Sequence, residues 1–549
     1  MKPLFDELES ILKIEISKDP KTLTQYSHDA SIYELTPEAI LYPKDSSEIG
    51  KLVRLVTDKK SVYPELSITP RSAGTDMSGG PLSDSLVIDM VKYFNSADVT
   101  AKFVHAQPGA FMRDIDPLLE KANTMLGCIP ASRMYCTIGG IVANNSAGEQ
   151  SLRYGNADKS ILELKAVLAD GNEYLFKPLN KRELDVKMKK GDFEGEVYRK
   201  IYELIENNYD LIKNARPRVH KNSMGYNLWY VWDRETGIFD LTKLFTGSQG
   251  TLGVITDVKM ATVPKAKHSG LLLAYLSNLK QLGDVIPLVT SHNPATFEGF
   301  DDVTFSLGIK YFSTFQKQLG TKEWLKQQTA LLGSVVKFKG HLPNIVLMIE
   351  FEGDTYQEVN NKIIDMQADF VKHGIKLKTE IEGNEEQSKP FWEIRRASLS
   401  LLRNQVKGRY AASFIDDLAV QPKFVPEFLP RIRSIIRKYN LPATIAGHFG
   451  DGNFHIIPLM DILDPAERLK FEPAMREMVP IVLEYGGTLA GEHNDGMVRG
   501  PWLPAMFGNE MFRLFKDTKE IFDPLYIFNP HKKADADWEY SFGHIREHF

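Results

Sequence analysis

PRSAGTDMSGG, Pro70–Gly80, separates two β-prone runs, Leu66–Thr69 and Leu86–Met90. Three glycines, two serines and a threonine make a loop whose backbone can lie close to a ligand, with amides free to face an anion. That chemistry suits a diphosphate. The loop has neither the Gly-Lys-Ser/Thr ending of a nucleotide-triphosphate loop nor the G-x-G-x-x-G spacing of a Rossmann turn. Alone, such a loop is more often a plain turn than a cofactor site. Its meaning therefore rests on the segments that follow.

Three further stretches agree with it: IPASRMYCTIGGIVANNSAG (Ile129–Gly148), RYGNADKSILELKAVLADG (Arg153–Gly171) and FTGSQGTLGVIT (Phe245–Thr256). In this order and spacing the four resemble the PCMH-type FAD-binding domain of the vanillyl-alcohol-oxidase superfamily. Within it they are most similar to the D-2-hydroxy-acid dehydrogenases that act on D-lactate, glycolate or D-2-hydroxyglutarate. The resemblance runs from about Tyr26 to Lys533. It implies an α+β chain, with a two-part FAD-binding domain followed by a ferredoxin-like substrate (cap) domain of the FAD-linked-oxidase C-terminal type. The expected division is 1–264 for the FAD domain, 265–485 for the cap, and 486–549 for a segment carrying a catalytic loop back to the FAD domain.

By the same resemblance, Arg71, Ser72, Ala73, Gly74 and Thr75 match diphosphate-contacting positions, and Gly139, Gly140, Asn144, Ser146 and Gly148 match a second cofactor segment. Gly250, Gly253, Val254 and Ile255 match a third, facing the flavin or adenine ring. Gln249 departs from the glutamate that most of the family carries there, which changes a hydrogen bond rather than the fold. Backbone amides satisfy a pyrophosphate without burying lysines. Pro70–Gly80 contains no histidine, so FAD is expected to be held without a covalent bond.

Length and composition set the bounds. At 549 residues the chain needs more than one core. A hydrophobic share of 43% and a charged share of 25% are ordinary for a globular protein. The formal net charge of -5 gives no general attraction to nucleic acid, and no run approaches the ~18 apolar residues of a membrane span. The N-terminal stretch spaces Leu4, Leu8, Ile11 and Leu12 like an amphipathic helix with acids, unlike a signal peptide. A cytoplasmic location is expected. The only cysteines are Cys128 and Cys136, too few for a disulfide framework or for the four ligands of an iron-sulfur cluster. An iron-sulfur centre in the electron path would belong to a separate partner, and a homo-oligomer is expected.

Elsewhere helical and strand patterns alternate. Asp45 and Glu48 read as a cap for a helix with Ile49, Leu52, Val53 and Val56 on one face. Ile161–Ala169 and Glu173–Phe176 read as a hairpin, and Glu196–Ala215 as one helix. Beyond Lys265 two β-α-β units follow, 271–300 and 345–381, suggesting a ferredoxin-like antiparallel sheet with helices on one face.

IAGHFGDGNFHIIPL, Ile445–Leu459, carries a second kind of chemistry. A two-residue hairpin turn at Asp451-Gly452 sets His448 directly opposite His455, with β-carbons ~5 Å apart, where two imidazoles can share a metal ion. TLAGEHNDGMVRG, Thr488–Gly500, adds Glu492 and His493. The resemblance assigns His448, His455 and Glu492 as ligands of a divalent metal, and His493 as the base that takes the substrate proton. Such a set suits zinc, manganese or iron. It also matches Arg395 to the arginine that pairs with the hydroxy-acid carboxylate, a task a guanidinium fork suits, with Arg396 a near alternative. Ile457 stands where the D-2-hydroxyglutarate enzymes carry asparagine, leaving the acid open.

The expected activity is FAD- and metal-dependent oxidation of a D-2-hydroxy acid to the 2-oxo acid, with hydride passing to flavin and electrons to an external acceptor. Three other readings compete. An alkyl-glycerone-phosphate synthase would carry consecutive histidines, absent here. A metal-dependent hydrolase would need no flavin, and a silent redox scaffold would not need His493.

Overall fold

The run Ile345–Phe351 is apolar at nearly every position, as in a strand covered on both faces. In the structure, a computed structural model describing residues 13–310, 342–382, 385–405 and 408–548, it forms most of the strand Ile345–Gly353. Its side chains alternate between two cores. Ile345, Leu347, Ile349 and Phe351 pack with Val285, Ile363 and Met366 of the helices Leu282–Ser291 and Tyr356–Lys372. Val346 and Met348 pack with Phe305, Phe391, Trp392 and Ile394. Each fully buried side chain of this size is worth about 1.5–3 kcal/mol, so both faces hold the strand in place.

The strands Lys378–Glu382, His268–Leu276, Ile345–Gly353 and Thr296–Asp301 lie in that order, every neighbour antiparallel. Two interleaved β-α-β units give the ferredoxin-like arrangement. Helices on one face alone, however, is corrected: Asp302–Lys310 and Glu385–Gln405 cover the other. The sheet then grows through Ala443–His448 and Asn453–Met460 to eight strands. That extension positions the site. Gly299 pairs with Gly447, a register that carries Glu298 opposite His448.

Among the described residues four smaller sheets precede it, of which two frame the Gly-rich segments. Ala39–Tyr42, Leu86–Asp89 and Ile68–Arg71 pair in parallel, with Glu15–Ser17 antiparallel at the edge. Phe103–Ala106, Val254–Ala261, Ile161–Val167 and Glu173–Phe176 belong to an antiparallel sheet. Asp45 caps the helix Ser46–Lys59 by accepting from the Glu48 amide at 2.9 Å, while Glu48 reaches back to the Lys44 amide. The expected helix Glu196–Ala215 is instead two, Phe193–Asn207 and Tyr209–Ala215. Asn208 interrupts it with φ −128°, its side chain donating to the Leu204 carbonyl, a local bond that competes with the helix. The helix expected from Leu4, Leu8, Ile11 and Leu12 falls on residues 1–12, outside the described residues. Both cysteines are free and buried. Among the described residues no helix is long and apolar enough to cross a membrane.

One acid in the sheet gives a pH-dependent stability. Burial first, then the charges of Glu352 and Glu149, push the Glu350 carboxyl up to about 8. The unfolded chain loses that proton near pH 4.5, so stability falls as pH rises from there towards 8. Glu350→Gln will flatten this slope, with thermal midpoints above wild type at pH 8.5 and equal to it near pH 4.5. Parallel pH profiles for the two proteins would overturn the assignment.

Candidate active site

The strand Ile68–Arg71 runs into the Gly-rich loop. Its amides at Ala73, Gly74 and Thr75 find no hydrogen-bond partner among the described residues, which leaves them as donors for an anion. A cavity opens beside them. It is lined by Ser72, Ala73, Gly74, Thr75, Gly139, Gly140, Asn144, Ser146, Gly148, Gly250, Gly253 and Ile255, and it runs on to Arg395, Arg396, His448, His455, Glu492 and His493. Two residues matched to the cofactor are not on its wall. The Arg71 guanidinium turns away to the carbonyls of Tyr26 and His28 at 2.7 and 2.8 Å, and Val254 is buried in the core under the parallel sheet.

Gln249 ties three segments together. Ser78 donates its hydroxyl proton to Asp76, so its oxygen accepts from Gln249 Nε2 at 3.0 Å, while Gln249 Oε1 accepts from the Gly496 amide at 2.8 Å. A glutamate could not fill both roles. Asn529 adds a further tie, donating to the carbonyls of Gly80 and Gln249.

The hairpin register differs from the expected one. His448 pairs with Asn453 and Ala446 with His455, so the turn is the four-residue loop Phe449–Gly450–Asp451–Gly452. Tertiary contacts set this loop: the Gly450 amide donates to the Phe297 carbonyl, and Asp451 pairs with Lys221 and His220. Gly452 takes φ +67° where a β-carbon would stand 2.0 Å from the Val420 oxygen. The shift is by two residues, so both histidines keep one face as diagonal neighbours, with ring centroids 5.2 Å apart.

Around that face the ligand atoms converge. Nε2 of His448 and Nε2 of His455 lie 3.2 and 3.0 Å from Glu492 Oε1, and the three donor atoms lie within 4.8 Å of one another. Glu298 accepts from His448 Nδ1 at 2.6 Å, which turns the ring's Nε2 towards Glu492. Two nitrogens and one carboxylate oxygen facing one point fit a divalent metal of the zinc, manganese or iron kind. Burial alone would lower His448, but the Glu298 and Glu492 charges overcome it and carry it up to about 9, whereas burial pushes His455 down to about 4. Burial would raise Glu492, yet Lys221 and His448 hold it well below the usual carboxylate range.

The supporting acids and cations were not legible as site residues. Asp416 accepts from His493 Nδ1 at 3.1 Å and is itself held by Arg499, while His493 Nε2 lies 3.8 Å from Glu492 Oε1. Asp417 accepts the amides of Glu492 and His493 at 2.8 and 2.7 Å and Asn453 Nδ2 at 2.8 Å. So engaged, Asp417 serves the loop rather than a second ion, although it stands with His455 and His493. Lys221, 0% exposed, lies 3.2 Å from Glu492 Oε2 and 3.3 Å from Asp451. The available signal was acids set inside apolar runs, TFEGFD and FIDDLAV; nothing in VHKNSMG singles out Lys221.

Arg395 faces the cavity and is 8% exposed, with Nε and Nη2 on Glu298 Oε2 at 3.1 and 2.9 Å. Glu298 thus joins the arginine to His448. Arg396 turns outward, both nitrogens of its fork on the two oxygens of Glu149.

Comparison with known proteins agrees with this geometry. The C-terminal domain of FAD linked oxidases matches residues 265–533, and an FAD binding domain matches 37–174. The D-2-hydroxyglutarate dehydrogenase of Pseudomonas putida is 27% identical over 531 residues, covering 94% of this chain and 50% of its own. Glycolate oxidase subunit GlcD of Bacillus subtilis is 26% identical over 520 residues, covering 93% and 92%. The chain spans about half the length of the D-2-hydroxyglutarate dehydrogenases it matches. In fold it is similar to 4-ethylphenol oxidase from Gulosibacter chungangensis, with a TM-score of 0.67 over 98% of each chain at 14% identity.

Proposed function

The chain belongs to the FAD-linked oxidases, carrying their FAD binding domain and their C-terminal domain, and from that premise we propose that it oxidises a D-2-hydroxy acid to the 2-oxo acid. One observation carries the reading: a single cavity is lined both by Ala73, Gly74 and Thr75, whose amides find no partner among the described residues, and by His448, His455, Glu492, His493 and Arg395.

FAD, held along the Gly-rich segments without a covalent bond, supplies a hydride acceptor, and a divalent metal at His448, His455 and Glu492 supplies a Lewis acid for the substrate hydroxyl. The chain's own residues do the rest. Arg395 keeps Nη1 and its outward hydrogens for the substrate carboxylate. Glu298 fixes both Arg395 and His448, so the carboxylate and hydroxyl of one small acid are gripped in a set geometry. His493 Nε2 takes the hydroxyl proton, its Nδ1 held by Asp416. Electrons leave to an external acceptor.

The test is the visible spectrum of purified protein under anaerobic conditions as D-lactate, glycolate, D-2-hydroxyglutarate and the L-enantiomers are added in turn. Bleaching of the oxidised flavin band by a D-acid is expected, with stoichiometric metal by elemental analysis. Flavin that none of these acids bleaches would overturn the substrate class, and protein unable to take up FAD would overturn the cofactor.

A further inference from the structure

We propose that a second cavity, whose wall holds the loop carrying Glu492 and His493, binds a phosphoryl group, either as free phosphate or as a small phosphate monoester. The cavity measures about 260 Å³. It draws on RYGNADK, Arg153–Lys159, from which Asn156, Asp158 and Lys159 line this cavity rather than the first. Arg216, just after the helix Tyr209–Ala215, and His220 add to its basic side. Two cations from separate segments meet there on one ring. Lys159 Nζ lies 3.9 Å and Arg216 Cζ 4.8 Å from the centre of the Tyr230 ring, whose quadrupole draws both in without neutralising them. Like charges so gathered repel, and Asp158, 3.4 Å from Lys159, offsets one of them. A phosphoryl group answers the remainder: a guanidinium fork takes two of its oxygens and an ammonium the third, whereas a carboxylate has only two to offer.

Three side chains of the same wall reach the active-site loop. Asn156 donates to the Gly491 carbonyl at 3.2 Å, and the Asn222 side-chain oxygen accepts from the Thr488 hydroxyl at 2.7 Å. His220 is joined to Asp451, which shares Lys221 with Glu492. An anion held between Lys159 and Arg216 therefore steadies Thr488–His493 from outside the first cavity, as an effector acts through contacts it shares with a second site. Neither the binding nor its effect on the loop depends on which acid is oxidised.

Calorimetric titration of the purified full chain at low ionic strength tests the site, with inorganic phosphate, glycerol 3-phosphate and succinate as probes. Saturable binding of phosphate is expected, with succinate weaker by at least roughly tenfold. Lys159→Gln and Arg216→Gln, both at exposed positions, should each weaken phosphate by at least roughly tenfold, the loss of one charge-assisted contact. Arg218→Gln, an equal change of charge off the cavity wall, should leave binding as it was, and circular dichroism reports that each variant folds. Tighter binding of the ester would identify a phosphorylated metabolite as the occupant, and tighter binding of inorganic phosphate the free ion. Hydrogen exchange of the peptide spanning Thr488–His493 should slow when phosphate is added to wild type and not when it is added to Arg216→Gln. No saturable binding, succinate equal to phosphate, or equal weakening by Arg218→Gln would overturn the site. Exchange left unchanged by saturating phosphate would overturn its link to the loop.

Discussion

Replacing His493 by alanine will slow substrate-driven bleaching of the flavin by about 10²- to 10⁴-fold, the usual effect of a positioned base. FAD and metal content will not change. That separation follows from how the loop is held: Asp417 grips the backbone amides of Glu492 and His493, so the His493 side chain can be removed without displacing Glu492. Asp416→Asn is expected to give a smaller loss, because an amide can still hold the ring but no longer offers a charged acceptor to His493 Nδ1, and Arg499 then lacks its partner. Stopped-flow reduction under anaerobic conditions reads both variants, with metal analysis as the control. If His493→Ala retained the wild-type rate, proton removal would have to be assigned elsewhere.

Lys221→Met will destabilise the protein by about 3–5 kcal/mol, the cost of leaving buried charges without their partner. Lys221 lies between Glu492 and Asp451 with no solvent exposure and also donates to the Gly148 carbonyl on the cavity wall. Its removal takes one shared cation from two carboxylates at once, leaving Asp451 with His220 and Glu492 with the histidines. Adding Glu492→Gln removes one of them, so the double variant should lose less than the sum of the single losses, a coupling a double-mutant cycle measures directly. Urea titration of the four proteins provides the cycle, with Lys51→Met as an exposed comparison. A Lys221→Met midpoint no lower than that of Lys51→Met would show the pairing to be energetically idle.

The parts of this molecule that could be read from sequence are those whose physics is local. Glycines between strands marked the Pro70–Gly80 loop, and the run IVLMIEF had to be a strand because its residues satisfy no helical stripe and are too apolar for a surface. The candidate metal-holding residues His448, His455 and Glu492 came from motif resemblance, and the structure brings their side chains within reach of one another. What escaped depends on contacts between distant segments. Glu298 reaches His448 only because Thr296–Asp301 is sewn to Ala443–His448 in one register. The hairpin slipped by two residues from the local rule because Phe297, Lys221 and His220 pull the Phe449–Gly452 loop to a tertiary position. Asn208 broke a helix that periodicity alone carries through, since its side chain competes for a backbone carbonyl.

Asn529 closes the Gly-rich loop by donating to the Gly80 carbonyl, across 449 positions of chain. On a ribosome adding about 5–20 residues per second, that partner emerges roughly 20–90 s after the loop itself. The nascent FAD domain therefore stands incomplete for most of its own synthesis, with the edge at Ile68 that later receives Ile527 and Asn529 still unpaired. Until Asn529 emerges, the Gly-rich loop lacks the bond that closes it at Gly80.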